Sequence, residues 1–263
     1  MRVLVKIGGT LLDDPQSRFR LAAEIGAAFG AGLDIAVVHG GGKQMTRFLE
    51  ERGVQSRFVN GLRVTTDEVL DAVLKVLAGT VNKHLVAAFL QTGQAAVGIS
   101  GIDANLVSAE PMDSALGHVG RPVRADARIL EALIGARFLP VVACVAGDAA
   151  GRLYNVNADQ MATACACAFR ADHVLFLTDV EGVRGAAGGV EPELDGAECE
   201  ELIASGIATG GMQAKLGAAS AALAGGVEQV TIAPGARDNV LAAMLRGEAV
   251  GTRIVRTRTV AAS

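Results

Sequence analysis

Two lysines, one aspartate and several glycines stand where apolar runs end or helical patterns begin. Lys6-Ile7-Gly8-Gly9-Thr10 closes the first apolar run, and His39-Gly40-Gly41-Gly42-Lys43 closes the second. Thr178-Asp179-Val180-Glu181-Gly182 follows a third, and Thr209-Gly210-Gly211-Met212-Gln213-Ala214-Lys215 opens a later helix. Glycine lets the backbone approach a ligand closely. Backbone N–H groups with a helix N-terminus behind them form an anion cradle. The bland alternative is a set of tight turns without a ligand. Two cradles and a lysine on one sheet edge favour phosphate or carboxylate binding.

Three further groups fit an anion site. Asn155-Val156-Asn157-Ala158-Asp159-Gln160 leads into a helix. Asn157 suits its N-cap and Asp159 its first turn, which leaves Asn155 without a structural role. Lys215 falls in the first turn of a helix expected over 212–223, where the dipole disfavours a cation. A nearby anion explains it. Arg63, in Asn60-Gly61-Leu62-Arg63-Val64-Thr65, offers a carboxylate fork; plain solvation is the alternative for any single Arg. Other nucleotide motifs are absent. There is no GxxxxGK[ST], no kinase HRD and DFG set, and no GxGxxG after a strand.

The elements that must position these residues alternate regularly. Apolar runs mark strands at 2–7, 34–38, 95–99, 138–143, 174–178, 229–232 and 252–255. Helical spacing marks 18–29, 43–51, 66–90, 126–134, 158–169, 198–204, 212–223 and 239–245. Strands alternating with helices imply an α/β three-layer sandwich, a mostly parallel central sheet with helices on both faces. Ligands in such sheets sit beyond the carboxyl ends of the strands. The helix over 66–90 carries Val69, Val73, Leu77, Val81 and Leu85 on one side and Leu70, Leu74 and Ala78 on another. That pattern fits either a central helix or one shared with a second subunit. The Gly-rich loop 182–192 reads as a lobe boundary or mobile flap, and the tail 256–263 as frayed.

Composition is that of a globular protein with a large core. The chain has 263 residues, 24 Lys plus Arg, 28 Asp plus Glu, and a net charge of −4. That balance argues against nucleic acid as the main partner. No uninterrupted apolar run approaches the roughly 18 residues of a membrane helix. The start reads directly as a strand rather than a signal peptide, so a cytoplasmic location is expected. Cys144, Cys165, Cys167 and Cys199 form no CxxC pair and read as small core residues, and the four histidines form no metal motif.

Taken together, KIGGTLLD, VVHGGGKQ, NGLRVT, LAGTVNK, LGHVG, NVNADQMAT, LTDVEGV, GGMQAK and GTRI resemble the amino acid kinase family over essentially the whole chain. NGLRVT with NVNADQ points to its acetylglutamate branch. The resemblance implies ATP-dependent phosphorylation of the side-chain carboxylate of N-acetyl-L-glutamate in arginine biosynthesis, with Mg²⁺ bridging the phosphates and no metal site in the protein itself. It assigns Lys6 and Lys215 to transition-state stabilisation and Asp159 to orienting them. It gives Gly8 and Gly41 amides to the transferred phosphoryl. Gly41, Gly42, Arg63 and Asn155 would bind the amino acid, and Thr178, Asp179, Gly182, Thr209, Gly210, Gly211 and Met212 the nucleotide. Residues 1–173 would form an amino-acid-binding and dimerisation lobe and 174–263 a nucleotide lobe. Arginine-inhibited relatives carry an extra N-terminal helix. With the first strand starting at residue 2, the resemblance implies a homodimer through the 66–90 helix, with little arginine inhibition. A sister kinase for a carrier-bound aminoadipate-type substrate is the alternative enzyme. A catalytically silent regulatory subunit is the alternative of another class.

Overall fold

Strands buried on both faces of a sheet need near-continuous apolar sequence, and four segments supply it: Arg2–Ile7, Asp34–His39, Leu139–Ala143 and His173–Thr178. In the computed structural model, which describes residues 1–256, they form the centre of an eight-stranded sheet. Its order is Glu193–Asp195, Thr252–Val255, Gln229–Pro234, His173–Thr178, Arg2–Ile7, Asp34–His39, Leu139–Ala143, Ala96–Ser100. Every neighbouring pair is parallel except Gln229–Pro234 with Thr252–Val255. Helix Pro15–Gly30 packs on Asn82–Gln91 and Val240–Leu245; helix Ala158–Phe169 packs on Arg2–Ile7 and on Gly210–Ala224. The α/β architecture expected from the sequence is present. The frayed tail expected over 256–263 lies, beyond Arg256, outside the described residues.

Register explains why the chemistry collects at one edge. Lys6 pairs with Val38 and Phe176, and Ile7 with His39 and Leu177. The segments after Ile7, His39 and Thr178 therefore leave the sheet side by side.

The long helix runs Asp67–Gln91. Thr66 caps it, its hydroxyl accepting from the Val69 amide at 3.4 Å. Its length and hydropathy would suit a membrane span, yet the Val69, Val73, Leu77, Val81 and Leu85 stripe is buried in the core. Leu74 and Ala78 are only partly covered. Between Leu74 and Val81 the helix widens into π-type turns, which the spacing of apolar residues does not disclose.

Two small modules have no counterpart in the sequence reading. Strands Val107–Pro111, Val119–Ala125, Val145–Gly147 and Leu153–Val156 close into a small barrel. Phe58–Val59 and Leu62–Arg63 form a two-stranded ribbon. Strands this short, interrupted by Gly, Pro and a bulge between Ser108 and Ala109, are held by their partners rather than by their own periodicity. The loop 182–192 folds back through a bridge from Arg184 to Val190, and strands of the same half-sheet stand on both sides of it. It is therefore not a lobe boundary. The cysteines are all free; Cys167 is half-buried rather than core, because it faces a cleft.

Candidate active site

Lys6 is the one charged residue within the first strand's buried stretch, 6% exposed. An isolated ammonium there would be costly. Its partner comes from the next layer: Asp159, 5% exposed, places Oδ1 2.7 Å from Lys6 Nζ. Lys215 Nζ lies 3.5 Å from Asp159 Oδ2. Burial alone would raise the Asp159 carboxyl, but Lys6 and then Lys215 outweigh it and hold the group below the usual carboxylate range. One ionised carboxylate thus fixes two ammoniums at a common point.

Each member is placed by local structure. Asn157 caps helix Ala158–Phe169, its Oδ1 accepting from the amides of Asp159 at 2.9 Å and Gln160 at 3.2 Å. That cap sets Asp159 in the first turn. Helix Gly210–Ala224 starts earlier than expected, so Lys215 falls in the second turn. Contrary to the expectation from sequence, Lys215 therefore does not face the dipole in a first turn; its position is explained by Asp159 and by the Gly211 carbonyl, to which it donates at 3.3 Å.

The two glycine loops touch. A Cβ on Gly9 would stand 2.8 Å from the Gly41 nitrogen and 3.0 Å from that of Gly42. A Cβ on Gly41 would overlap Leu77 of the widened helix turn. Gly41 caps helix Gly42–Glu50, whose first amides have no intrahelical acceptor. Gly42 faces open space. Gly8 differs: its amide donates to the Leu177 carbonyl at 2.9 Å. That N–H is committed to the sheet, so the phosphoryl-holding role expected for it is not free in this arrangement. The glycine at position 8 gives close approach to Leu177 and Thr178 instead.

A cavity of about 240 Å³ opens beside the cradle, lined among others by Lys6, Gly41, Gly42, Arg63, Asn155 and Asp159. Arg63 is only 8% exposed. It donates to the Gly42 carbonyl at 3.0 Å, to Thr46 Oγ1 at 2.8 Å and to Ser56 Oγ. Its guanidinium also lies over the Phe58 ring, 4.6 Å from the centroid. Burial lowers its pKa from the usual guanidinium value. The Asn155 side-chain amide donates to Thr65 Oγ1 at 3.1 Å, which leaves Oδ1 to accept from a ligand.

The residues expected to hold a nucleotide divide. Gly210, Gly211 and Lys215 line a larger cleft of about 860 Å³ that also reaches Asp159. Thr178, Asp179, Gly182, Thr209 and Met212 do not line it. Thr178 is buried beside Gly8, its hydroxyl 3.3 Å from Asp179 Oδ1. Gly182 sits against Thr252. The sequence reading missed Gln44, whose amide donates to the Gly9 carbonyl at 2.9 Å and ties the two loops together. It also missed Thr46, Ser56 and Thr65 around Arg63 and Asn155. Thr65 and Gln44 fall inside the quoted segments NGLRVT and VVHGGGKQ, so the signal was present but unassigned.

A Lys–Asp–Lys cluster, with Lys6 and Asp159 buried and Lys215 more open, stands beside paired glycine loops at one edge of a parallel sheet, a setting suited to binding anions. The amino acid kinase profile matches residues 1–234, and the chain belongs to the amino acid kinase family. Among curated relatives it is 57% identical to the acetylglutamate kinase of Solibacter usitatus (strain Ellin6076), over 97% of this chain and 99% of that one. It is 45% identical to the acetylglutamate kinase of Acidobacterium capsulatum, over 92% and 94%. Among solved structures, an N-acetylglutamate synthase from Neisseria gonorrhoeae, complexed with coenzyme A and N-acetyl-glutamate, superposes with a TM-score of 0.86 at 26% identity. That match covers 97% of this chain and 59% of the synthase.

Proposed function

We propose that this chain is an acetylglutamate kinase, transferring the γ-phosphoryl group of ATP to the side-chain carboxylate of N-acetyl-L-glutamate in arginine biosynthesis. The observation that carries the reading is Asp159 shared by Lys6 and Lys215 at the wall of the cavity that also holds Arg63 and Asn155. Identity of 57% to an acetylglutamate kinase over nearly full length supports it.

A glutamate-type side chain has a pKa of about 4.3 and is ionised at neutral pH, so its attack needs no general base. The barrier is charge repulsion and alignment, which positioning and electrostatic stabilisation lower. Arg63 takes the α-carboxylate, and Asn155 Oδ1 accepts from the acetamido N–H. The Gly41 and Gly42 amides hold the reacting carboxylate end. Lys6 and Lys215, kept apart from each other by Asp159, neutralise charge that builds on the moving phosphoryl group. Mg²⁺ accompanying ATP would offset the charge of its phosphates; Asp159 is already engaged by two ammoniums. Residues 1–173 form the amino acid lobe. The nucleotide lobe begins at 174, with Thr178, Asp179, Gly182, Thr209, Gly210, Gly211 and Met212 around the ATP. Four free cysteines suit a cytoplasmic setting.

The protein works as a homodimer through helix Asp67–Gln91. Its outward Leu74 and Ala78 are only partly covered, and Leu90 is 56% exposed. Light scattering is expected to give twice the 26.8 kDa chain mass; a monomer or a hexamer contradicts this.

The test is an ATP- and Mg²⁺-dependent assay that traps the acyl phosphate with hydroxylamine. N-acetyl-L-glutamate is expected to turn over, and free glutamate, aspartate and N-acetyl-aminoadipate are not. Preference for the longer side chain moves the enzyme to a lysine-type pathway. No turnover on any of them makes the chain a silent subunit.

A further inference from the structure

His39 begins the glycine loop but belongs to the core, at 0% exposure. Its Nδ1 lies 3.0 Å from the Gly40 carbonyl. A carbonyl can only accept, so Nδ1 must carry the proton and Nε2 must be bare. Asn82, 1% exposed, supplies the matching donor, its Nδ2 lying 3.1 Å from His39 Nε2.

The orientation of Asn82 is fixed by backbone. The same Nδ2 faces the Val141 carbonyl at 3.0 Å and the Ile99 carbonyl at 3.4 Å. Flipping the amide would set Oδ1 against two carbonyls. In the present orientation Oδ1 accepts from Lys83 Nζ at 3.1 Å. Three features make room for this arrangement. The widened turn Leu74–Val81 ends immediately before Asn82. Gly98 leaves the space that any Cβ would take from Asn82 Oδ1. Cys144 Sγ donates to the His39 carbonyl at 3.1 Å, holding the same residue from its other side.

We infer that His39 and Asn82 are positioning residues for the reaction: through a single tautomer of His39, they hold the loop 40–42 in the shape that presents its amides to the ligand. The chain of control runs from two sheet carbonyls to Asn82, from Asn82 to His39, and from His39 to the Gly40 peptide. Burial keeps His39 neutral by lowering its pKa to about 4, with Lys83 adding to the effect. Neither residue touches the cavity; each acts through the loop. The inference deepens the kinase reading and rests on it for the ligand, while the tautomer is a property of the protein alone.

The tests separate these two layers. Nitrogen NMR of ring-labelled wild-type protein is expected to show His39 neutral at pH 7 with its proton on Nδ1. A proton on Nε2, or a charged ring, overturns the inference whatever the enzyme does. In the kinase assay, His39→Asn keeps a donor near the Nδ1 position and His39→Gln keeps one only near Nε2. His39→Asn is expected to retain most activity. His39→Gln is expected to lose kcat/KM by about tenfold to a hundredfold, the scale of a small misplacement at a reacting centre. Equal activity in the two folded variants overturns the inference. Should either variant fail to fold, the wild-type tautomer decides alone. Absence of turnover in the wild type strikes the kinase reading and leaves the tautomer result standing.

Discussion

At the residue scale, the two lysines are not equivalent although both meet Asp159. Lys6 is almost wholly buried at 2.7 Å; Lys215 is more open at 3.5 Å. Removing one partner of a buried pair leaves an uncompensated charge and costs about 3–5 kcal/mol. Lys6→Ala should therefore lower both kcat and the denaturation midpoint. Lys215→Ala should lower kcat by a comparable amount, roughly a hundredfold, with a much smaller loss of stability. Paired kcat and urea-unfolding measurements check this, and equal stability losses would contradict the asymmetry. Arg63 gives a second prediction. Under the proposed function Arg63 would contact the carboxylate equally in ground and transition states, so Arg63→Ala should raise KM for the amino acid by about tenfold or more. Arg63→Lys should recover little, because one ammonium cannot reach Gly42, Thr46 and Ser56 together while lying over Phe58. A fallen kcat with unchanged KM would remove Arg63 from substrate binding. Lys6, Lys215 and Arg63 were legible as cations near glycines, and Asp159 as a first-turn carboxylate behind the Asn157 cap. Their mutual distances were not, because Lys6 and Asp159 are far apart in sequence and meet only through the sheet.

At the scale of elements, the information lies in how the loops touch. Glycine pairs after two strands were legible as cradles, but nothing in either pair announces that Gly9 presses on Gly41 and Gly42. The wide turn of the central helix was equally hidden: helical spacing predicts an apolar stripe and is silent on a local change of turn. Leu77 from that turn fills the space that a Gly41 side chain would need. These contacts separate two otherwise similar substitutions. Gly9→Ala must push backbone from backbone, so turnover should fall at least tenfold through displaced amides. Gly42→Ala meets nothing within 4 Å, so the melting temperature should stay within a degree or two of wild type. Its effect should appear only in KM, where an added methyl crowds the ligand. Melting curves and steady-state kinetics on the two variants check this. A Gly9→Ala enzyme with wild-type kinetics would show that the loops do not need their present contact.

At the scale of the whole molecule, the parallel sheet was legible because its central strands are mostly apolar. The four-stranded barrel was not, because Val119–Ala125 reads VGRPVRA and carries no periodicity. Equally invisible was the burial of two histidines, which sequence position alone leaves as scattered residues. His39 is enclosed beneath the loop, and His173 is 8% exposed with Nε2 2.9 Å from Thr231 Oγ1. Burial lowers both from 6.5 to about 4; beside His173, Arg253 adds to this and Asp172 opposes it. Between those limits the unfolded chain binds protons that the folded chain refuses, so stability is full above pH 6.5 and drains as pH falls toward 4. At pH 5 each histidine should have removed about 2 kcal/mol relative to pH 7.5, a large share of a total of about 5–15 kcal/mol. Asp159 acts in the opposite corner of the scale. Its lowered pKa adds stability that persists down through this window and is lost only in stronger acid. Acid sensitivity should therefore begin above the carboxylate range. Urea midpoints at pH 7.5 and 5 should differ clearly, and His39→Asn should recover about half of the difference. Midpoints that stay level between those pH values would mean that the two rings take up protons without unfolding the core around them.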